Sequence, residues 1–125
     1  MKNDIKPLIT VITVVYNGEA YLEKIILSVI NQTYESVEYI IIDGGSTDGT
    51  IDIIKKYESK INYWISEAYN GIYDAMNKGI KLATGDWINF MNAGDLFYNL
   101  SVLERLHKNF SLDLSILSGK VAMFY

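Results

Sequence analysis

The chain has 125 residues, half of them hydrophobic and 21% charged, with no cysteine and a formal charge of −4. That length suits one domain able to bury roughly two-thirds of its unfolded surface, and the composition is that of a globular protein, not a disordered one. Lack of cysteine excludes a disulfide framework and a thiolate metal site, and the acidic balance, with no cluster of Lys and Arg, excludes a nucleic-acid partner.

The start, MKNDIKP, has no apolar core of the kind a signal peptide needs, and every later apolar run breaks well short of the roughly 20 residues that cross a bilayer. The chain therefore reads as soluble, and the missing cysteines make a cytoplasmic location the easier expectation. The first predicted element is a β-branched strand over 8–15, LITVITVV, ending at Tyr16-Asn17-Gly18. Pro7 stands just before it, where its missing N–H costs no ladder bond. In YLEKIILSVINQ, Leu22, Ile25, Ile26, Val29 and Ile30 recur at i, i+3, i+4, i+7 and i+8, which predicts a helix with one apolar face.

VEYIII follows as a strand, its three isoleucines bounded by turn residues as in a strand buried on both faces. Asp43 ends it. Gly44 and Gly45 allow a sharp turn or the close approach of a ligand, and Ser46, Thr47 or Asp48 can cap the helix that begins at Thr50 and runs through Ile54 and Tyr57. INYWI at 61–65 is a third strand. In GIYDAMNKGIKLATG, Ile72, Ala75, Met76, Gly79, Ile80 and Ala83 mark one helical face, with Tyr73, Asp74, Asn77 and Lys81 on the other. WINFM at 87–91 is a fourth strand ending in Asn92-Ala93-Gly94-Asp95, a short helix is expected near 101–109, and LDLSILSGKVAMFY reads as one or two strands. Trp64 and Trp87 fall inside strands and are expected in the core, the lysines at 55, 56, 78 and 81 on solvated helix faces, and His107 on a partly packed surface.

Strands alternating with helices call for an α/β fold, a mostly parallel sheet with helices on both faces and right-handed crossovers. Such sheets bind ligands outside the carboxyl ends of their strands, where the strand order reverses. Asn17, Asp43, Glu67, and Asn92 with Asp95 each follow one of four successive strands and so share that edge. The turn IIIDGGSTDGT is no P-loop, for it lacks the terminal lysine and hydroxyl, and no dinucleotide fingerprint, for GGSTDG has the wrong spacing. A receiver-type phosphoacceptor site needs further carboxylates after the first strand, where VVYN has none. A carboxylate at such a tip suits an N–H donor better than a phosphate.

VITVVYNGEAYLEKIILSVINQTY, EYIIIDGGSTDGT and SEAYNGIYDAMNKGIKLATGDWINFMNAGD, in that order, resemble the inverting family 2 glycosyltransferases of the GT-A (Rossmann-like) fold, from about Ile9 to about Asp95. The resemblance implies that Val15, Tyr16 and Asn17 lie against the nucleoside of a nucleotide-sugar donor, that Asp43 accepts the N3–H of a uracil ring, and that Gly44 and Gly45 give that ring room. Asp74 and Asn77, on the helix that borders the diphosphate in the family, stand where the family often has an arginine. They are candidates for the ribose or donor sugar, and exposed helix polarity explains them equally well. Asn92 stands in the family's metal signature as a ribose or water-mediated contact, and Asp95 as the ligand of Mg2+ or Mn2+, hard cations that prefer oxygen.

The implied reaction is direct displacement at the anomeric carbon by a sugar or lipid-linked acceptor, in polysaccharide or glycoconjugate synthesis. Lipid-linked acceptors of some relatives imply peripheral association with the inner face of the membrane. No general base is recognisable. Glu104 and Asp113, the carboxylates after Asp95, stand in no known context, so the base is expected beyond residue 125. The whole of 1–125 is then expected to be one nucleotide-sugar-binding domain, the N-terminal part of a longer enzyme whose acceptor half is absent, and apolar surface left open would favour self-association. The alternative is a nucleotide-binding module without catalysis, which the missing base and the thinned metal motif favour.

Overall fold

The computed structural model describes residues 6–92. Four strands, β1 (Ile9–Val15), β2 (Val37–Asp43), β3 (Tyr63–Ser66) and β4 (Trp87–Phe90), alternate with three helices, α1 (Leu22–Ile30), α2 (Thr50–Lys56) and α3 (Ile72–Leu82). The strands form one wholly parallel sheet in the order β3-β2-β1-β4. The expected helix near 101–109 and terminal strands, with Ala93, Gly94, Asp95, Glu104, His107 and Asp113, lie outside the described residues.

The order reverses once. The chain steps outward from β1 to β2 to β3, then crosses back over the sheet to set β4 on the far side of β1. Crossovers of one hand put helices from opposite steps on opposite faces, and the core divides accordingly. Leu22, Ile25, Ile26 and Val29 of α1 and Ile54 of α2 pack with Ile9, Val11, Tyr39, Ile41 and Trp87. On the other face Ala75 of α3 packs with Ile12, Ile40, Ile42, Ile88 and Phe90. Successive strand residues alternate between the two clusters, as a period of two requires, and Ile40, Ile41 and Ile42 are all buried because β2 is internal and both its faces are covered.

The fourth strand ends at Phe90 and the second helix at Lys56, each one residue short of expectation, and two further expectations shift. The third strand starts at Tyr63, two residues after the expected 61, because the side-chain oxygen of Asn62 accepts from Tyr39 N–H at 2.8 Å while its own N–H donates to the Tyr39 carbonyl, in place of a regular ladder step. Trp64 is half-buried, not core. β3 is the outer strand on its side of the described sheet, and the indole N–H reaches solvent-side Glu58 at 2.9 Å.

At the amino ends of the strands a second set of bonds fixes how α3 returns to the sheet. The Glu38 carboxylate accepts from Thr10 Oγ1, Thr84 N and Thr84 Oγ1 at 2.7–2.8 Å, and Gly85 N–H donates to Thr10 Oγ1. Burial alone would raise the Glu38 pKa, but these three donors outweigh it and hold the carboxyl below its ordinary value.

Candidate functional site

The carboxyl ends of β1 and β2 and the start of α3 enclose a cleft of about 510 Å³. Val14, Val15 and Tyr16 come from the end of β1, Gly44 from the turn after β2, Ala68 and Tyr69 from the segment after β3, and Gly71, Ile72 and Ala75 from the first turns of α3. The cleft therefore lies on the α3 side of the sheet, over the carboxyl ends of β1 and β2, the edge at which open α/β sheets bind ligands.

Gly44 forms its floor. Its N–H is held by the Val15 carbonyl at 2.9 Å, and a Cβ there would come within 3.3 Å of Tyr16 Cδ1 and 3.6 Å of Tyr69 Cδ2. The two rings thus flank a spot where only hydrogen stands. Tyr16 is 59% exposed and Ile72 50% exposed, unusual for large apolar residues, and both face this opening. Ile72 accordingly leaves the buried face expected of it. Gly45, at φ +85°, needs a glycine for its left-handed backbone.

Asp43 is fully buried and works inside the turn. Its Oδ2 accepts from Gly45 N, Ser46 N and Ser66 Oγ at 2.7–3.0 Å, and its Oδ1 accepts from Ser46 Oγ at 2.5 Å. With one donor, Oδ1 keeps spare acceptor capacity, since an ionised carboxylate has about four lone-pair sites. That capacity is not open to a ligand in this structure, where Asp43 has no exposed surface and does not line the cleft. The turn also ties to its neighbour: Asn17 Oδ1 accepts from Thr47 N, and Asn17 N donates to Ser46 Oγ, each at 2.8 Å. The Asn17 side chain is spent on that contact, with its own backbone at φ +48°. Asp48 accepts from Thr50 N and Thr50 Oγ1, so it closes the turn into α2.

Of the candidates, Val15, Tyr16 and Gly44 line the cleft, and Asn17, Asp43, Gly45, Asp74, Asn77 and Asn92 do not. Asp74 accepts from Asn70 N at 3.1 Å, satisfying a backbone donor just before its own helix. Asn77 is exposed. Asn92 Oδ1 accepts from Val14 N at 3.0 Å and so prolongs the β1–β4 ladder by a side chain. Asp95 lies outside the described residues, and among those residues no three His, Cys, Asp or Glu side chains gather to hold a cation.

Tyr69 was not foreseen. Its ring walls the cleft, its hydroxyl is buried with no partner among the described residues, and burial, with the charges of Asp43 and Asp74 and with Tyr63, pushes its pKa up to about 12. Lys78 stands over that ring at 5.5 Å and pairs with Glu67, so it is engaged with the site's border and not merely solvated. An aromatic residue three positions after a strand on the ligand edge was the one available signal.

Residues 10–122 match the family model described as Glycosyl transferase family 2. An uncharacterized glycosyltransferase of Haemophilus influenzae is 38% identical over 81% of this chain and 42% of its own length. A PGL/p-HBAD biosynthesis glycosyltransferase of Mycobacterium bovis is 35% identical over 80% and 40%. Among solved structures, S. aureus TarS 1-349 in complex with UDP-GlcNAc superposes with a TM-score of 0.76 at 25% identity, over 84% of this chain and 31% of that one. A mannosyltransferase of Pyrobaculum calidifontis, PcManGT, solved with GDP-Man and Mn2+, shares the fold at a TM-score of 0.70 and 24% identity, over 77% and 30%. The chain thus spans less than half the length of these relatives.

Proposed function

This chain belongs to glycosyl transferase family 2, and from that premise we propose that residues 1–125 are the nucleotide-sugar-binding part of a glycosyltransferase, with the nucleoside diphosphate of the donor seated in the cleft over Gly44. The observation that carries the proposal is the pairing of Tyr16 and Tyr69 about a glycine floor at the carboxyl ends of β1 and β2. Exposed aromatic faces bind any base by stacking, and a floor without a side chain leaves room for a ring. UDP-GlcNAc in TarS, a protein of the same fold, supports a uridine donor here. Asp43, directly before Gly44, is assigned as the acceptor for the base N3–H, a contact that requires the turn to open, since its carboxylate is fully buried and outside the cleft lining.

In this reading the sugar passes to an acceptor hydroxyl with inversion, by direct displacement at the anomeric carbon. Asp95 holds a divalent cation, Mg2+ or Mn2+, which when bound offsets charge on the departing diphosphate. Among the described residues that line the cleft, none is a carboxylate or histidine. The base that takes the acceptor's proton is assigned outside the described residues, which bind and orient the donor. Of the described residues, no helix is long and apolar enough to cross a membrane, and any membrane contact is assigned to the lipid-linked acceptor.

Titration calorimetry of the chain with UDP, GDP and dTDP, each with and without Mn2+, tests this. UDP is expected to bind best. Tyr16→Ala should weaken it about tenfold or more, since base stacking is worth about 1–3 kcal/mol, and Asp95→Asn should remove the gain from Mn2+. No nucleotide binding by a folded chain would sink the proposal.

A further inference from the structure

The loop that carries Tyr16 and the turn that carries Gly44 are sewn together by bonds that run in both directions. Asn17 N donates to Ser46 Oγ and Gly18 N to Thr50 Oγ1, both at 2.8 Å, and Glu19 N donates to Asp48 Oδ2 at 3.2 Å. In return Thr47 N donates to Asn17 Oδ1 and Gly49 N to Glu19 Oε1, both at 2.8 Å. Each loop so supplies side-chain acceptors for the other's backbone donors. Such donors, at the end of one strand and before a helix, have no ladder of their own to join.

Glu19 is the far end of this seam. It is exposed, does not line the cleft, and its carboxylate lies against Gly49, where a Cβ would stand 3.5 Å from Glu19 Oε1. Between Glu19 and Tyr16 stand Asn17, held by Ser46 and Thr47, and Gly18, where a Cβ would clash with Val15 and Tyr21 at 2.6–2.8 Å. We infer that Glu19 is a positioning residue: by holding Gly49, it locks the two loops into one unit and so fixes the Tyr16 ring over Gly44. Its functional consequence rests on the reading of the cleft as the nucleoside site.

The test compares the chain with Glu19→Ala and with Glu19→Gln, whose amide oxygen can still accept from Gly49 N. Three quantities are read by NMR: amide exchange at Thr47 and Gly49, the ring-current displacement that Tyr16 imposes on the Gly44 Hα, and UDP affinity. In Glu19→Ala the amides should exchange about tenfold faster, the value of one hydrogen bond to a charged acceptor. The Gly44 displacement should shrink and UDP binding weaken several-fold, while Glu19→Gln restores all three. A merely structural role would lower the melting temperature without moving the Gly44 signal. Exchange at Thr47 unchanged in Glu19→Ala, or Tyr16 still fixed over Gly44, would overturn the inference, as would UDP affinity unaltered once the ring is loosened. If the unaltered chain binds no UDP while loops and ring loosen as described, the seam stands and the nucleotide reading falls.

Discussion

Tyr69 and Asn89 are where the described interior leaves buried side-chain polar atoms unpaired, and for Tyr69 the cost can be recovered. A buried hydroxyl without a partner forfeits about 1–3 kcal/mol, so Tyr69→Phe should raise stability by about 1 kcal/mol in denaturant unfolding, the ring and its packing being retained. A lower stability would mean that the hydroxyl does have a partner. Asp43 is the opposite case, a fully buried carboxylate accepting from three residues of its own surroundings. Asp43→Asn replaces an acceptor with a donor against those N–H groups and should cost about 2–3 kcal/mol, so a loss of nucleotide binding in that variant would not by itself identify a base contact. Sequence reasoning put Asp43, Gly44 and Tyr16 at one edge because strand ends are legible from hydrophobic periods. That the Asn17 and Asp74 side chains are spent on backbone donors was not legible, since those bonds depend on where one loop lies against another or on how a single turn bends.

At the scale of elements, α3 decides how wide the cleft is. Gly79 packs on β1, and a Cβ there would come within 2.7 Å of Ile12 Cγ2. Alanine is the better helix former by about 1 kcal/mol, yet overpacking costs about 1–3 kcal/mol. The steric cost wins. Gly79→Ala should destabilise the chain by up to about 2 kcal/mol in denaturant unfolding, and a gain would show that α3 can move away from the sheet. The far end of α3 is tied through Thr84 to Glu38, whose carboxyl is held below its ordinary value of 4.5. A depressed carboxylate stabilises the fold above its unfolded pKa and loses that contribution as pH falls through the folded one. Unfolding stability should therefore decline as pH drops below about 4.5, and Glu38→Gln should flatten part of that decline. The positions of the helices were legible because Leu22 to Ile30 and Ala75 to Ala83 keep a period near 3.6. The late start of the third ladder was not, because an asparagine side chain can imitate a strand.

For the whole molecule, a single reversal of strand order places β1 inside the sheet with β4 and β2 beside it, and the cleft opens where the carboxyl ends of β1 and β2 meet α3. The alternation of elements made that layout readable in advance. The cleft's occupant is the central claim, and the most direct measurement is the crystal structure of this chain with UDP and Mn2+. The uracil ring is expected over Gly44, against Tyr16 and beside Tyr69, with its N3–H turned to Asp43 and the turn around that carboxylate opened. UDP seated instead in the groove at the opposite end of the sheet, lined by Gln32, Glu35 and Lys60, would contradict it.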